Sequence, residues 1–110
     1  MKCDRTDYGA LAVLAPRGDL TGDDVEGFGH DAARCLEGSA GLIVDCAGLT
    51  SVDSTGLESL AELSRRCQSR GGMLKLCRPD AVLRKILEMT RLERQFELFD
   101  DVEAAIRSHT

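Results

Sequence analysis

The sequence predicts an α/β domain: one open, mostly parallel sheet with alternating helices and an N-terminal strand at its edge. Two observations carry this. Leu42-Ile43-Val44 is a short apolar run of the kind shown by a strand buried on both faces. Around such runs lie longer stretches whose apolar residues recur at helical spacing, and strands alternating with helices at these lengths make a parallel sheet with crossover helices. With 110 residues the chain is expected to be a single domain spanning 1–110.

Residues 2–7 form a weak strand candidate, closed by a turn signal at Asp7-Tyr8-Gly9. Ala10–Ala15 reads as a firmer strand ending at Pro16-Arg17-Gly18, so the two suit a hairpin with the first on the edge. Asp19 to Asp24 reads as a polar loop. A helix follows, with Val25, Phe28, Ala32, Cys35 and Leu36 on one stripe; Gly27 and Gly29 lower its propensity. Gly38-Ser39-Ala40-Gly41 ends it and delivers the Leu42 strand. A second helix runs from Asp53-Ser54-Thr55-Gly56 to about Arg70, burying Leu57, Leu60, Ala61, Leu63, Ser64 and Cys67. Gly71 fits the left-handed position that closes it.

Met73–Cys77 is the next strand, stopped by Arg78-Pro79. Asp80 is placed to cap a third helix carrying Val82, Leu83, Ile86, Leu87 and Met89. A last strand lies around Phe96–Phe99. Asp100, with Glu103 three residues on, reads as an approximate capping box for a closing helix that buries Val102, Ala105 and Ile106.

A net charge of −5 argues against a nucleic-acid partner, because phosphate binding needs a basic surface. The clusters Arg65, Arg66, Arg70 and Arg84, Lys85, Arg91, Arg94 read as solvated helix faces. No apolar run approaches the roughly 20 residues that span a bilayer, and the start is too polar for a secretory signal, so the chain is expected in the cytoplasm. Five cysteines, an odd number without C-x-x-C spacing, suggest neither a disulfide framework nor a zinc site. Cys46 and Cys77 read as small buried residues within strands.

Function is expected where the Leu42 strand hands over to the second helix, at the carboxyl end of a parallel strand. A helix start offers free N–H groups and a positive dipole end, which suit a phosphate or a carboxylate. Ser54 and Thr55 stand there, and small hydroxyls at such a position also serve simply as N-caps. Gly56 allows either close packing or a partner's approach. Catalysis finds little support, and neither a cofactor nor a metal is expected. The standard phosphate-cradling glycine motifs are absent, and Val52-Asp53-Ser54-Thr55-Gly56 is not a hydrolase elbow. His30 and His109 read as surface residues, and Asp45 with Asp53 lacks a third ligand or a base. The chain is read as a non-enzyme.

Asp53-Ser54-Thr55-Gly56-Leu57, preceded by Leu42-Ile43-Val44-Asp45-Cys46-Ala47-Gly48-Leu49, resembles the STAS domain family, in particular bacterial single-domain anti-sigma-factor antagonists. The resemblance extends over Arg17-Gly18-Asp19-Leu20, the Met73–Cys77 strand, the Val82–Leu92 helix and the Phe99–Ile106 segment. It implies a STAS-like sheet and a binding module that regulates sigma-factor-dependent transcription. The implied partner is an anti-sigma factor with serine kinase activity, bound by the unmodified chain and released when the serine after the motif aspartate, Ser54, is phosphorylated; Thr55 is the alternative. A serine phosphatase would reset the switch. The implied docking face comprises Asp53, Ser54, Thr55 and Gly56 together with Asp19, Thr21, Asp23 and Asp24, whose charge suggests a basic surface on the partner. A fixed STAS scaffold of stressosome type, a lipid-transport subunit, and a small-molecule or nucleotide-binding domain are the alternative readings.

Overall fold

The computed structural model describes residues 1–109; Thr110, the last position of the expected 1–110 domain, lies outside the described residues. The strands are β1 (Lys2–Tyr8), β2 (Leu11–Leu20), β3 (Gly41–Asp45), β4 (Leu49–Val52), β5 (Leu74–Cys77) and β6 (Phe96–Phe99). The helices are α1 (Val25–Glu37), α2 (Ser54–Ser69), α3 (Ala81–Met89) and α4 (Val102–Ser108). The main sheet runs β1-β2-β3-β5-β6, with β1 antiparallel to β2 and every other pairing parallel. The expected hairpin and edge strand are both present.

Alternation along the strands serves two faces. Ala12, Leu14, Leu42, Val44, Leu74 and Leu76 pack with the apolar stripes of α1, α2 and α3, where Phe28, Leu60 and Leu87 are almost wholly buried. Leu11, Val13, Ile43 and Cys77 point the other way and are covered by α4 through Ala105. The central strands are apolar on both sides because both sides are covered.

The structure differs from the sequence reading in the length of β2 and in the existence of β4. Rather than stopping at Pro16, β2 runs to Leu20, so Asp19 and Leu20 belong to a strand and not to a loop. Its first half pairs with β3 over Leu11–Leu14; its tail pairs with β4 at Gly18–Leu49, Asp19–Ser51 and Leu20–Val52, with a register shift between Gly18 and Asp19. Pro16 sits between these two ladders, where neither β3 nor β4 pairs with it, so its missing N–H removes no bond from either. A 3-10 turn at Cys46–Gly48 separates β3 from β4, so Cys46 is buried in a turn and not in a strand.

The closing cap is Asp101, whose carboxylate accepts the Ala104 N–H at 2.7 Å, and not Asp100. Asp80 caps α3 as expected, accepting the Leu83 N–H at 2.7 Å. On α3 only Leu83 and Leu87 are fully buried, while Val82 and Met89 are exposed. α2 ends in a Schellman motif: Gly72 N–H bonds the Cys67 carbonyl at 3.1 Å, Gly71 N–H bonds that of Gln68 at 3.0 Å, and Gly71 has φ +87°.

Candidate functional site

The β2 tail, the loop into α1, strand β4 and the first turn of α2 meet at one end of the sheet. Asp53 joins them. Its backbone is extended, and its Oδ1 accepts the Gly56 N–H at 2.7 Å, making it the N-cap of α2. Its Oδ2 accepts the Gly22 N–H of the loop at 3.1 Å, and its own N–H bonds the Leu20 carbonyl at 3.3 Å. The N-cap role that the hydroxyls of Ser54 and Thr55 also suit thus belongs to Asp53. Ser54 opens the helix, exposed, with no hydrogen-bond partner for its hydroxyl among the described residues. As the first two helical residues, Ser54 and Thr55 also have N–H groups without an intrahelical acceptor.

Gly56 is settled by packing. A Cβ there would stand 2.1 Å from the Leu20 carbonyl oxygen, so the start of α2 lies directly on the β2 backbone. Asp19, exposed on the β2 tail, accepts the hydroxyls of Thr50 and Ser51 from β4, the latter at 2.8 Å. These two bonds favour its charged form and hold its pKa below the usual carboxylate value. Thr21 Oγ1 donates to Asp24 Oδ2 at 3.2 Å, and the Asp24 N–H bonds the Thr21 carbonyl at 2.8 Å. Asp23 is exposed beside them. Asp19, Thr21, Asp23, Asp24, Asp53, Ser54, Thr55 and Gly56 are therefore all carried by the segments that meet here. Thr50 and Ser51, which anchor Asp19, were missed along with β4. Leu49-Thr50-Ser51-Val52 carries no period-2 alternation to announce a strand, since its two middle residues are both polar and exposed.

Asp45 plays a different part. It is almost buried and forms a bidentate pair with Arg78, whose Nε donates at 3.1 Å; it also accepts the Ala47 N–H at 3.2 Å. Among the described residues no group of three or more His, Cys, Asp or Glu side chains is placed to hold a metal ion. His30 and His109 are exposed, on α1 and just past α4. Burial pushes the Cys46 thiol up to about 12, with the Asp45 charge adding to it, so it stays protonated at neutral pH. No described helix is long and apolar enough to cross a membrane.

The family model of the STAS domain matches residues 4–105. No curated protein matches the chain in sequence. Among solved structures, a putative anti-sigma factor antagonist from Thermotoga maritima superposes with a TM-score of 0.89 at 18% identity, covering 96% of this chain and 92% of that one. An anti-sigma factor antagonist from Mycobacterium paratuberculosis gives 0.86 at 17% identity, covering 97% and 92%. The Bacillus cell fate determinant SpoIIAA in its phosphorylated form gives 0.77 at 18% identity, covering 99% and 100%. At these identities the likeness is one of fold.

Proposed function

The chain belongs to the STAS domain family, and from that membership we propose that it is an anti-sigma-factor antagonist acting by phosphorylation-controlled binding. Unmodified, it docks on an anti-sigma factor that is also a serine kinase, through the end of the sheet where β2, β4 and α2 meet. Transfer of a phosphoryl group to Ser54 releases it, and a serine phosphatase restores the binding form. It works as a binding module rather than a catalyst, in the cytoplasm, and regulates transcription through the sigma factor its partner would otherwise hold.

The single observation that carries this reading is the state of Ser54. Its hydroxyl is exposed and unpartnered in the first turn of a helix whose cap is supplied by its neighbour, Asp53. A kinase can take the hydroxyl without breaking any bond that holds the fold. A phosphoserine brings about −1.5 to −2 charges and three acceptor oxygens. Next to Asp53 that charge opposes a partner surface shaped for a neutral hydroxyl, while the free N–H groups and dipole of α2 steady the phosphate. Modification then changes the surface and leaves the domain folded. That a protein of this fold has been solved in a phosphorylated form is consistent with such tolerance. Thr55 is also exposed, on the wall of the groove between α1 and α2, and remains the alternative acceptor.

The test is phosphate mapping by mass spectrometry after incubation with candidate anti-sigma kinases and ATP, with Ser54→Ala in parallel. Phosphate on Ser54, absent from the variant and accompanied by loss of the complex, is the expected result. Stable binding to a large assembly or transporter with Ser54 untouched would instead favour a fixed scaffold.

A further inference from the structure

β1 is a free edge of the main sheet: among the described residues no strand pairs with its outer side. Most of Lys2–Tyr8 is exposed. The hairpin decides which backbone groups face that edge. The two-residue turn Gly9-Ala10 closes on Tyr8 and Leu11, so hydrogen-bonded pairs alternate from there through Thr6–Val13, Asp4–Ala15 and Lys2–Arg17. Pro16 fits this alternation, because it stands opposite Cys3, where no N–H toward β1 is required. The amides and carbonyls of Cys3, Arg5 and Asp7 are therefore the ones directed at the open edge.

Charges commonly guard such an edge, and here they guard it selectively. A second copy adding its own β1 antiparallel, about a two-fold axis, sets residues of the same sheet face directly opposite one another, so a residue must meet itself at the axis. Centred on Asp4, Arg5 or Thr6, the strand pairs over Lys2–Thr6, Lys2–Tyr8 or Asp4–Tyr8. The first register sets Asp4 against Asp4 and the second Arg5 against Arg5, and like charges directly opposite destabilise. The third sets Arg5 against Asp7 on both sides of the axis, with the two Thr6 side chains together on the other face. Arg5 and Asp7 already bond each other along the strand, with Arg5 Nε donating at 2.9 Å, and Asp4 is held by Arg17, whose Nε donates at 2.7 Å. The Thr6 register joins two such Arg5–Asp7 pairs into a ring of alternating charge. It also uses the backbone groups of Arg5 and Asp7, which the hairpin leaves open.

We propose that β1 is a self-association edge, at which a second copy of this chain pairs antiparallel with Thr6 on the two-fold axis. Each Arg5–Asp7 pair across the axis exchanges both of its backbone bonds. The contact covers Asp4–Tyr8, next to the hairpin turn, whereas the β2 tail lies past Arg17, the partner of Lys2. Because the two strands run in opposite directions, the ends of the sheet that carry Ser54 point apart and both stay open. The inference does not rest on the function proposed above. A net charge of −5 on each copy opposes association, so the dimer is a weak one that forms at high protein concentration.

The test is sedimentation equilibrium of the full chain over a wide range of concentrations at physiological ionic strength. The average mass should climb toward that of two chains. Arg5→Asp alone and Asp7→Arg alone each set like charges opposite one another, and each should weaken association about tenfold. Both positions are exposed, so neither change disturbs the core. An equimolar mixture of the two single variants should associate again, through mixed pairs. A chain carrying both changes keeps the ion pair along its strand and should associate as the native chain does. Recovery in that chain singles out the Thr6 register, since the Arg5-centred one would still set like charges together. A mass that stays that of one chain at every concentration would overturn the proposal. So would association that neither single change weakens, or that the double change fails to restore.

Discussion

Gly56 and Leu20 lie in such close contact that a single methyl group on Gly56 would fall 2.1 Å from the Leu20 carbonyl oxygen. The contact seats α2 on the β2 tail and so fixes where Ser54 is presented. Gly56→Ala must push the helix and strand apart, and overpacking of this kind costs about 1–3 kcal/mol. Gly27→Ala provides the contrast, since that glycine is helical and faces open space; it should stabilise by roughly 0.5–1 kcal/mol. Urea denaturation of both variants checks the pair, and a neutral Gly56→Ala would show that the contact relaxes freely.

Asp53 serves two amides at once. Asp53→Ala leaves the Gly56 N–H uncapped and unties Gly22, and loss of a cap of this type costs about 0.5–2 kcal/mol. Amide hydrogen exchange should rise at Gly22 as well as at the first turn of α2. Faster exchange at the helix start alone would mean that the loop is held by something else.

Asp19 should titrate below the ordinary aspartate value, because the hydroxyl of Thr50 and then that of Ser51 favour its carboxylate. The sign follows from linkage. A carboxylate depressed in the folded state contributes stability that is full above its unfolded pKa of about 3.9 and is lost as pH falls through the folded pKa. Carboxyl NMR should place the titration in that acid range, and Thr50→Ala or Ser51→Ala should move it back up. An unmoved Asp19 in both variants would contradict the assignment.

Arg78 holds Asp45 from a left-handed backbone conformation, φ +53°. Arg78→Ala keeps that strain and leaves a nearly buried carboxylate without its cation. Because the arginine is about half exposed, the expected loss is at the lower end for such pairs, about 1–3 kcal/mol. Arg78→Gly removes the same ion pair but relieves the backbone, so it should be the more stable of the two. Thermal melts that rank them the other way would refute the strain.

The features that bury apolar surface were legible because burial leaves periodic patterns. The α1 and α2 stripes, the Leu42 and Leu74 strands and the Gly71 terminator follow from side-chain spacing and from one required φ. β4 was not legible, because Thr50 and Ser51 are exposed and the strand exists to pair with a β2 tail whose length the sequence disguised. Pro16 reads as a stop, yet it continues the ladder with β1 opposite Cys3, and neither β3 nor β4 pairs with it. At the site the residue types were visible but their division of labour was not. The hydroxyls of Ser54 and Thr55 suited a cap as well as a switch, and the carboxylate one residue earlier, Asp53, accepts the Gly56 N–H instead. The same one-residue ambiguity separates Asp100 from Asp101.

The register shift at Gly18 divides β2 into two spans anchored to different neighbours. Upstream, four paired positions with β3 lie deep in the sheet; downstream, three with β4 carry the exposed end. The domain thus resembles a tool with a fixed shank and a detachable bit. Charges and hydroxyls on the bit can be exchanged to suit a new partner while the shank keeps its register, so specificity can be re-cut without recasting the core.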